Sequence, residues 1–243
     1  MMGRMIVLAL AVLLPQPGWA AEKRFTLPAF DKVRIEGDVA VEIRSGASPQ
    51  AVASGDPHAL DALTLNVQGD TLYVRRTRTS APVERRYRAR APEGLPLIRI
   101  DARAVQSLTL LGAGSATLDR LGGARPSATM DGNGSIEIGT VQADALALNV
   151  NGSGSLKISG KADSARAVML GDGLIESPDL ALASLDLIGE GPVRASLNVN
   201  GPARIAVKGG AEIAIVGTPK CTIRETGTNA IACGIRGEGA SVR

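Results

Sequence analysis

Met130-Asp131-Gly132-Asn133-Gly134-Ser135-Ile136-Glu137-Ile138 is followed, twenty residues on, by Val150-Asn151-Gly152-Ser153-Gly154-Ser155-Leu156-Lys157-Ile158. In both stretches a Gly-x-Gly corner separates two short runs of alternating apolar and polar residues. The corner recurs at Gly112/Gly114, Gly132/Gly134, Gly152/Gly154, Gly171/Gly173 and Gly189/Gly191, with degenerate copies at Gly209-Gly210 and Gly227/Asn229. First glycines are 20, 20, 19, 18, 20 and 18 residues apart. A period near twenty that carries short strands is the signature of stacked supersecondary units. Glycine, or asparagine in the last copy, permits the positive φ of a sharp corner.

Alignment on the corner separates the faces. Two residues before the first glycine stand Leu110, Met130, Val150, Met169, Leu187 and Val207; two after the second come Ala116, Ile136, Leu156, Ile175 and Val193, with Ile213 and Ile231 matching in the degenerate copies. Side chains alternate across a strand, so one face of every coil is apolar and the other mostly polar. Stacking such coils at roughly 4.8 Å sets like residues above one another in parallel ladders. The expected fold is therefore all-β: a single-domain parallel β-helix with coils of about 18–20 residues. A meander of antiparallel hairpins could also use Gly-x-Gly, but nothing in a meander requires the corner to return in one inward register.

Upstream of this repeat, Val33–Ile35, Val39–Ile43, Leu63–Val67 and Leu72–Val74 alternate without the twenty-residue rhythm, with turn signals at Gly37-Asp38 and Gly69-Asp70. Residues 21–105 are accordingly expected to form irregular coils or a cap over the open end, and residues 106–243 the regular coils. Residues 1–20 have the parts of a cleavable export signal: Arg4, an apolar run from Met5 to Leu14, helix breakers Pro15, Pro17 and Gly18, and small residues at Gly18 and Ala20 for a cut after Ala20. The run is shorter than the about twenty residues a membrane anchor needs, so no stable transmembrane anchor is expected.

Composition narrows the chemistry. The aromatics beyond the signal are Phe25, Phe30, Tyr73 and Tyr87, so the core must be thin layers of Leu, Ile, Val and Ala. Removing Arg4 from the formal charge of +3 leaves +2, too little to imply a nucleic-acid partner. The charge is uneven. Residues 71–105 hold nine Arg against Glu84, Glu93 and Asp101. Arg75, Arg76 and Arg78 precede Arg85, Arg86, Arg88 and Arg90, and the last three share one parity along an extended segment. They are candidates for an anion or partner surface, set against a charge-guarded edge that discourages aggregation.

No catalytic, cofactor-binding or metal-binding residue is expected. Glu137, Lys157, Glu176 and Arg194 follow the second glycine by three and read as an alternating-sign ladder rather than an acid–base stripe. A glycosidase needs two carboxylates in a cleft, with aromatics to stack sugars, and residues 106–243 contain no aromatic. The only histidine, His58, sits in a capped turn with Asp56 as N-cap and Pro57 at N1, without a nucleophile elbow for a triad. The corners lack the full GxGxxG pattern before a helix and the repeated Asp of calcium-binding coils. Cys221 and Cys233 fall at inward positions of the last coil, beside Glu225, which interrupts the inward ladder. In an oxidising compartment they are expected to form a structural disulfide.

Phe30-Asp31-Lys32-Val33 leading to Val39–Ile43, then Leu63–Val67, Gly69-Asp70 and Leu72–Val74, followed by Gly-Ser-Gly corners, resembles the auto-transporter adhesin head GIN domain family over about residues 25–235. That resemblance implies an exported bacterial β-helix of the periplasm or cell envelope with no assigned activity, and it supplies no catalytic residues. The expected function is a non-catalytic envelope protein presenting a binding surface to an envelope protein, an anionic polysaccharide or a lipid headgroup. A polysaccharide-active enzyme on the same scaffold and an envelope assembly module are the alternatives.

Overall fold

The computed structural model describes residues 21–77 and 95–235. Its repeating unit is plainest in the coil made by β8 (Ser107–Gly112) and β9 (Ser115–Leu121). β8 runs into the corner, β9 leaves it, and Gly122–Pro126 returns the chain to start β10 (Ser127–Gly132). β10 lies parallel on β8 with Ser127 on Ser107 and Gly132 on Gly112. β11 (Ser135–Gly152) and β12 (Ser155–Gly171) each continue from one side of a coil into the next. β13 (Leu174–Leu182), β14 (Leu185–Glu190), β15 (Arg194–Val199), β16 (Pro202–Gly209), β17 (Glu212–Gly217), β18 (Lys220–Gly227) and β19 (Ala230–Ile235) complete the array. Every pairing from β8 to β19 is parallel, as expected of a β-solenoid.

The core is a set of aliphatic columns. Leu108, Ala128, Leu148, Ala167, Leu187 and Ile205 follow one another up the stack, all buried. Alternating large and small side chains lets successive layers interdigitate. Phe30 is the only aromatic among the buried side chains of the described residues. Ser177 is the single buried polar residue there; its hydroxyl accepts from the Ile158 amide at 3.0 Å, where the β12–β13 register shifts. A buried amide freed by a bulge is thus satisfied.

The corner ladder corrects one expectation. Positive φ occurs at Gly112, Gly132, Gly152, Gly171, Gly191, Gly209 and Gly227, so the fifth corner turns at Gly191 and not at Gly189. Gly189 instead occupies an inward position, level with Met169 below and Val207 above. Val193 then stands in the slot that Gly114, Gly134, Gly154 and Gly173 fill elsewhere. A Cβ on Gly189 would lie 2.8 Å from Cγ2 of Val193. The volume missing at one site is supplied from the other.

The same slip of two residues breaks the expected four-rung charge ladder. Glu137 pairs with Lys157, and Glu176 follows one coil on, but Glu176 faces Ser196. Arg194 sits beside Leu174 and Glu212 and ion-pairs with Asp172 at 3.7 Å.

The N-terminal coils enter the stack out of chain order. β2 (Lys32–Glu36) lies between β6 (Thr71–Arg76) and β8, parallel to both. β3 (Ala40–Ser45) likewise lies between β7 (Leu97–Ala102) and β9. The first coil in sequence is therefore second in space. Beyond it the strands turn antiparallel: β4 (Gln50–Gly55) pairs with β7, β1 (Ala21–Thr26) with β4, and β5 (Leu63–Gln68) with β6. The helical turn α1 (Pro57–Asp61) joins β4 to β5 and buries Leu60. Asp56 caps α1 as expected, its carboxylate accepting from the amides of His58 and Ala59.

Candidate functional site

The sequence-predicted basic surface is only partly within the described residues. Arg78, Arg85, Arg86, Arg88 and Arg90 lie outside them. Arg75 and Arg76 end β6 and are both engaged within the molecule. Arg75 Nε lies 2.9 Å from Glu36 Oε2, and its guanidinium stacks 4.9 Å from the Tyr73 ring centre. Arg76 Nη1 donates to the Asp38 carbonyl at 3.3 Å. Arg34 adds a second ion pair to Glu36 at 2.7 Å. Hydrogen bonding from Arg34 holds the Glu36 carboxyl below its usual range against the opposing effect of burial, and Arg75 adds to the lowering. Arg99 and Arg44 bracket Glu42 in the same way, at 3.2 and 3.1 Å.

Charges that invited an acid–base reading do not converge. Glu137, Lys157 and Glu176 are exposed along a shallow depression of about 240 Å³ with Ser135 and Ser155. Among the described residues no group of three or more His, Cys, Asp or Glu side chains could hold a metal ion. His58 is exposed on α1.

Cys221 and Cys233 are disulfide-bonded, as expected. Both occupy inward register, Cys221 above Ala203 and Cys233 above Ile215, and Glu225 stands above Val207 where the apolar column stops. The expectation that both sulfurs are interior needs correction. Cys221 is half-buried and Cys233 exposed, because among the described residues no coil stacks beyond β18 and β19. The bridge spans the mouth of the last coil and joins its two sides.

Sequence reasoning missed the concave features, which lie on either side of the return corner. One trough of about 630 Å³ is lined by Arg120, Gln142, Asp144, Lys161 and Asp163, two cations against two anions. The other, about 470 Å³, runs across successive coils past Arg125, Ala145, Ser164, Ser184 and Pro202, with Arg166, Asp186 and Arg204 along it. Its floor is held by hydroxyls: Ser164 Oγ donates to the Asp144 carbonyl at 3.0 Å, and Ser184 Oγ to that of Asp163 at 3.1 Å. Arg166 ion-pairs with Asp186 at 3.1 Å, whereas Arg125 and Arg204 have no ion-pair partner among the described residues. The Arg166–Asp186–Arg204 column becomes visible in the sequence once the fifth corner is placed at Gly191.

Among the described residues no helix is long and apolar enough to cross a membrane. Solved structures share this architecture. An adhesin candidate from Bacteroides fragilis NCTC 9343 is similar at 16% identity with a TM-score of 0.77, covering 89% of this chain and 97% of that one. A protein described as a putative lipid binding protein, from Parabacteroides distasonis ATCC 8503, is similar at 17% identity and TM-score 0.65, covering 88% and 96%. At those identities the likeness is one of fold. No protein with a curated description matches the sequence. The profile of the family described as "Putative auto-transporter adhesin, head GIN domain" matches residues 29–219, from the capped, order-swapped coils through β17. With both the motifs and the solenoid they encode accounted for over most of its length, the chain belongs to that head GIN domain family.

Proposed function

We propose that this protein is exported to the periplasm or cell envelope and acts there without catalysis, its solenoid serving as a stiff surface that binds an envelope component. The observation that carries this reading is the surface itself. Its concave features are shallow troughs along the coils, and the carboxylates near the N-terminal end are held by arginines rather than poised for proton transfer. Membership of an adhesin-like family supports the binding role. The Cys221–Cys233 bridge supports an oxidising compartment, since such bonds persist outside the reducing cytosol.

Two measurements test it. Full-length chain expressed in a Gram-negative host should yield exported protein whose first residue is Ala21; uncleaved cytosolic protein would sink the export half. Mature protein mixed with isolated envelopes should sediment with them, and it should release no new reducing ends from acidic polysaccharides. Release of reducing ends that Glu137→Gln abolishes would favour the polysaccharide-active enzyme instead.

A further inference from the structure

The trough past Arg125, Arg166 and Arg204 carries more cations than carboxylates, whereas the trough on the other side of the return corner carries two of each. Its charged residues are three arginines and Asp186, a balance of +2. Arg166 shares its charge with Asp186, but Arg125 and Arg204 do not. Asp186 stands in register between Arg166 and Arg204 and pairs with Arg166, so one carboxylate serves three guanidiniums. Coil stacking sets the spacing. Arg125 precedes β10, Arg166 lies in the second part of β12 and Arg204 in β16, so each is two coils from the next. Two coils span about 10 Å, so the arginine backbone positions rise in steps of about 10 Å, with Arg125 two residues along the coil from the Arg166–Arg204 column.

Shape selects among anionic partners. A bilayer presents a plane of headgroups and would meet a flat or convex face; this site is concave, its floor is Ala145, Ala147, Ser164 and Ser184, and the large apolar side chains that line it, Leu146 and Leu185, are buried in the core and cannot insert between lipids. Small residues leave room for one extended chain to lie along the solenoid axis. A guanidinium is suited to a carboxylate by its two parallel donors. The seryl hydroxyls are already donated to main-chain carbonyls, so the floor is fixed before any ligand arrives.

We infer that this trough binds a linear polysaccharide bearing regularly spaced carboxylates, laid across the coils from Arg125 to Arg204. The inference rests on the proposed binding role and names the ligand class and the site. Recognition is by ion pairing and shape, without aromatic stacking, because residues 106–243 contain no aromatic side chain.

The test uses the mature chain with polygalacturonate oligomers as probe, neutral dextran oligomers as control and phosphatidylglycerol vesicles as the competing partner. Wild-type protein should bind polygalacturonate, more weakly as salt rises, and should ignore dextran. Arg125→Ser/Arg204→Ser should weaken that binding about tenfold or more. Arg24→Ser/Arg224→Ser removes the same charge from exposed sites elsewhere and should leave it within about twofold. Asp186→Asn, which releases Arg166, should tighten binding several-fold, a gain that misfolding cannot imitate. The inference is overturned if wild-type protein does not bind polygalacturonate, if the trough variant binds as wild type does, or if the trough variant loses only vesicle binding. Continued sedimentation with envelopes in any of those cases would leave the broader binding role standing.

Discussion

A glycine at the corner is required by contact as much as by φ. At Gly132 the backbone has φ +125°, and a Cβ there would come 2.5 Å from the carbonyl oxygen of Gly112 one coil below. Gly132→Ala should therefore cost about 2 kcal/mol or more, read as a lower denaturant midpoint at constant slope. Gly189 and Val193 give a sharper test. Gly189→Val alone overpacks against Val193, and Val193→Gly alone leaves a void. The double exchange should be less damaging than the two single costs added, with a coupling of about 1–3 kcal/mol in a double-mutant cycle. Additive effects would show that the two sites do not share volume. These residues also explain why sequence alone sets the fifth corner two residues early. Strand alternation has a period of two, so a slip of two keeps every inward residue inward. Both positions are glycine, so only the backbone turn separates Gly189 from Gly191, and the inward column tolerates a glycine because Val193 fills behind it.

Among the elements, β2 and β3 gain both of their neighbours from distant sequence, and their charges match that arrangement. Glu36 of β2 meets Arg75 of β6, and Glu42 of β3 meets Arg99 of β7. The alternation of these strands was legible in the sequence, but their order in the stack was not. Parity assigns a face to each side chain and carries no information about which strand lies alongside. The ion pairs do, and each needs a partner more than thirty residues away. The Glu36 carboxyl titrates below its ordinary value, so its contribution is present above pH about 4.5 and is lost as pH falls through the depressed value. Glu36→Gln should cost about 1 kcal/mol at neutral pH, discounted for its partial exposure, and should reduce the loss of stability between about pH 5 and about pH 3. Urea titrations at the two pH values measure this. An equal acid loss in both proteins would place the effect on other carboxylates.

For the whole molecule, the two ends are closed differently. The N-terminal end is covered by antiparallel strands and α1, while the last coil is held by the Cys221–Cys233 bridge. Coils of a solenoid contact only their neighbours, so loss of the bridge should act locally. Cys221→Ser/Cys233→Ser should lower stability by up to about 3 kcal/mol, with faster amide exchange confined to β18 and β19. Faster exchange spread evenly through β10–β17 would contradict a nearest-neighbour array. The cysteine positions were readable in the sequence from corner spacing alone. The troughs were not, because a concave surface is built from residues of three to five coils and depends on where each return corner is cut.

The exchanged order of the first two coils bears on how the chain reaches this state. From β8 onward, most stacked residues are about twenty positions apart, as Ser107 and Ser127 are. The contact between Asp31 and Gln106 instead closes 75 residues. Closing that longer loop carries about 1 kcal/mol of extra entropy cost, and it cannot be met until β8 and β9 exist as a template. Refolding should therefore begin in the downstream coils, and pulse-labelled amides of β2 and β3 should gain protection after those of β10–β17. A polypeptide crossing a membrane N-terminus first would emerge with its earliest strands still waiting for later ones, and the finished array would be sealed from the end that arrived first.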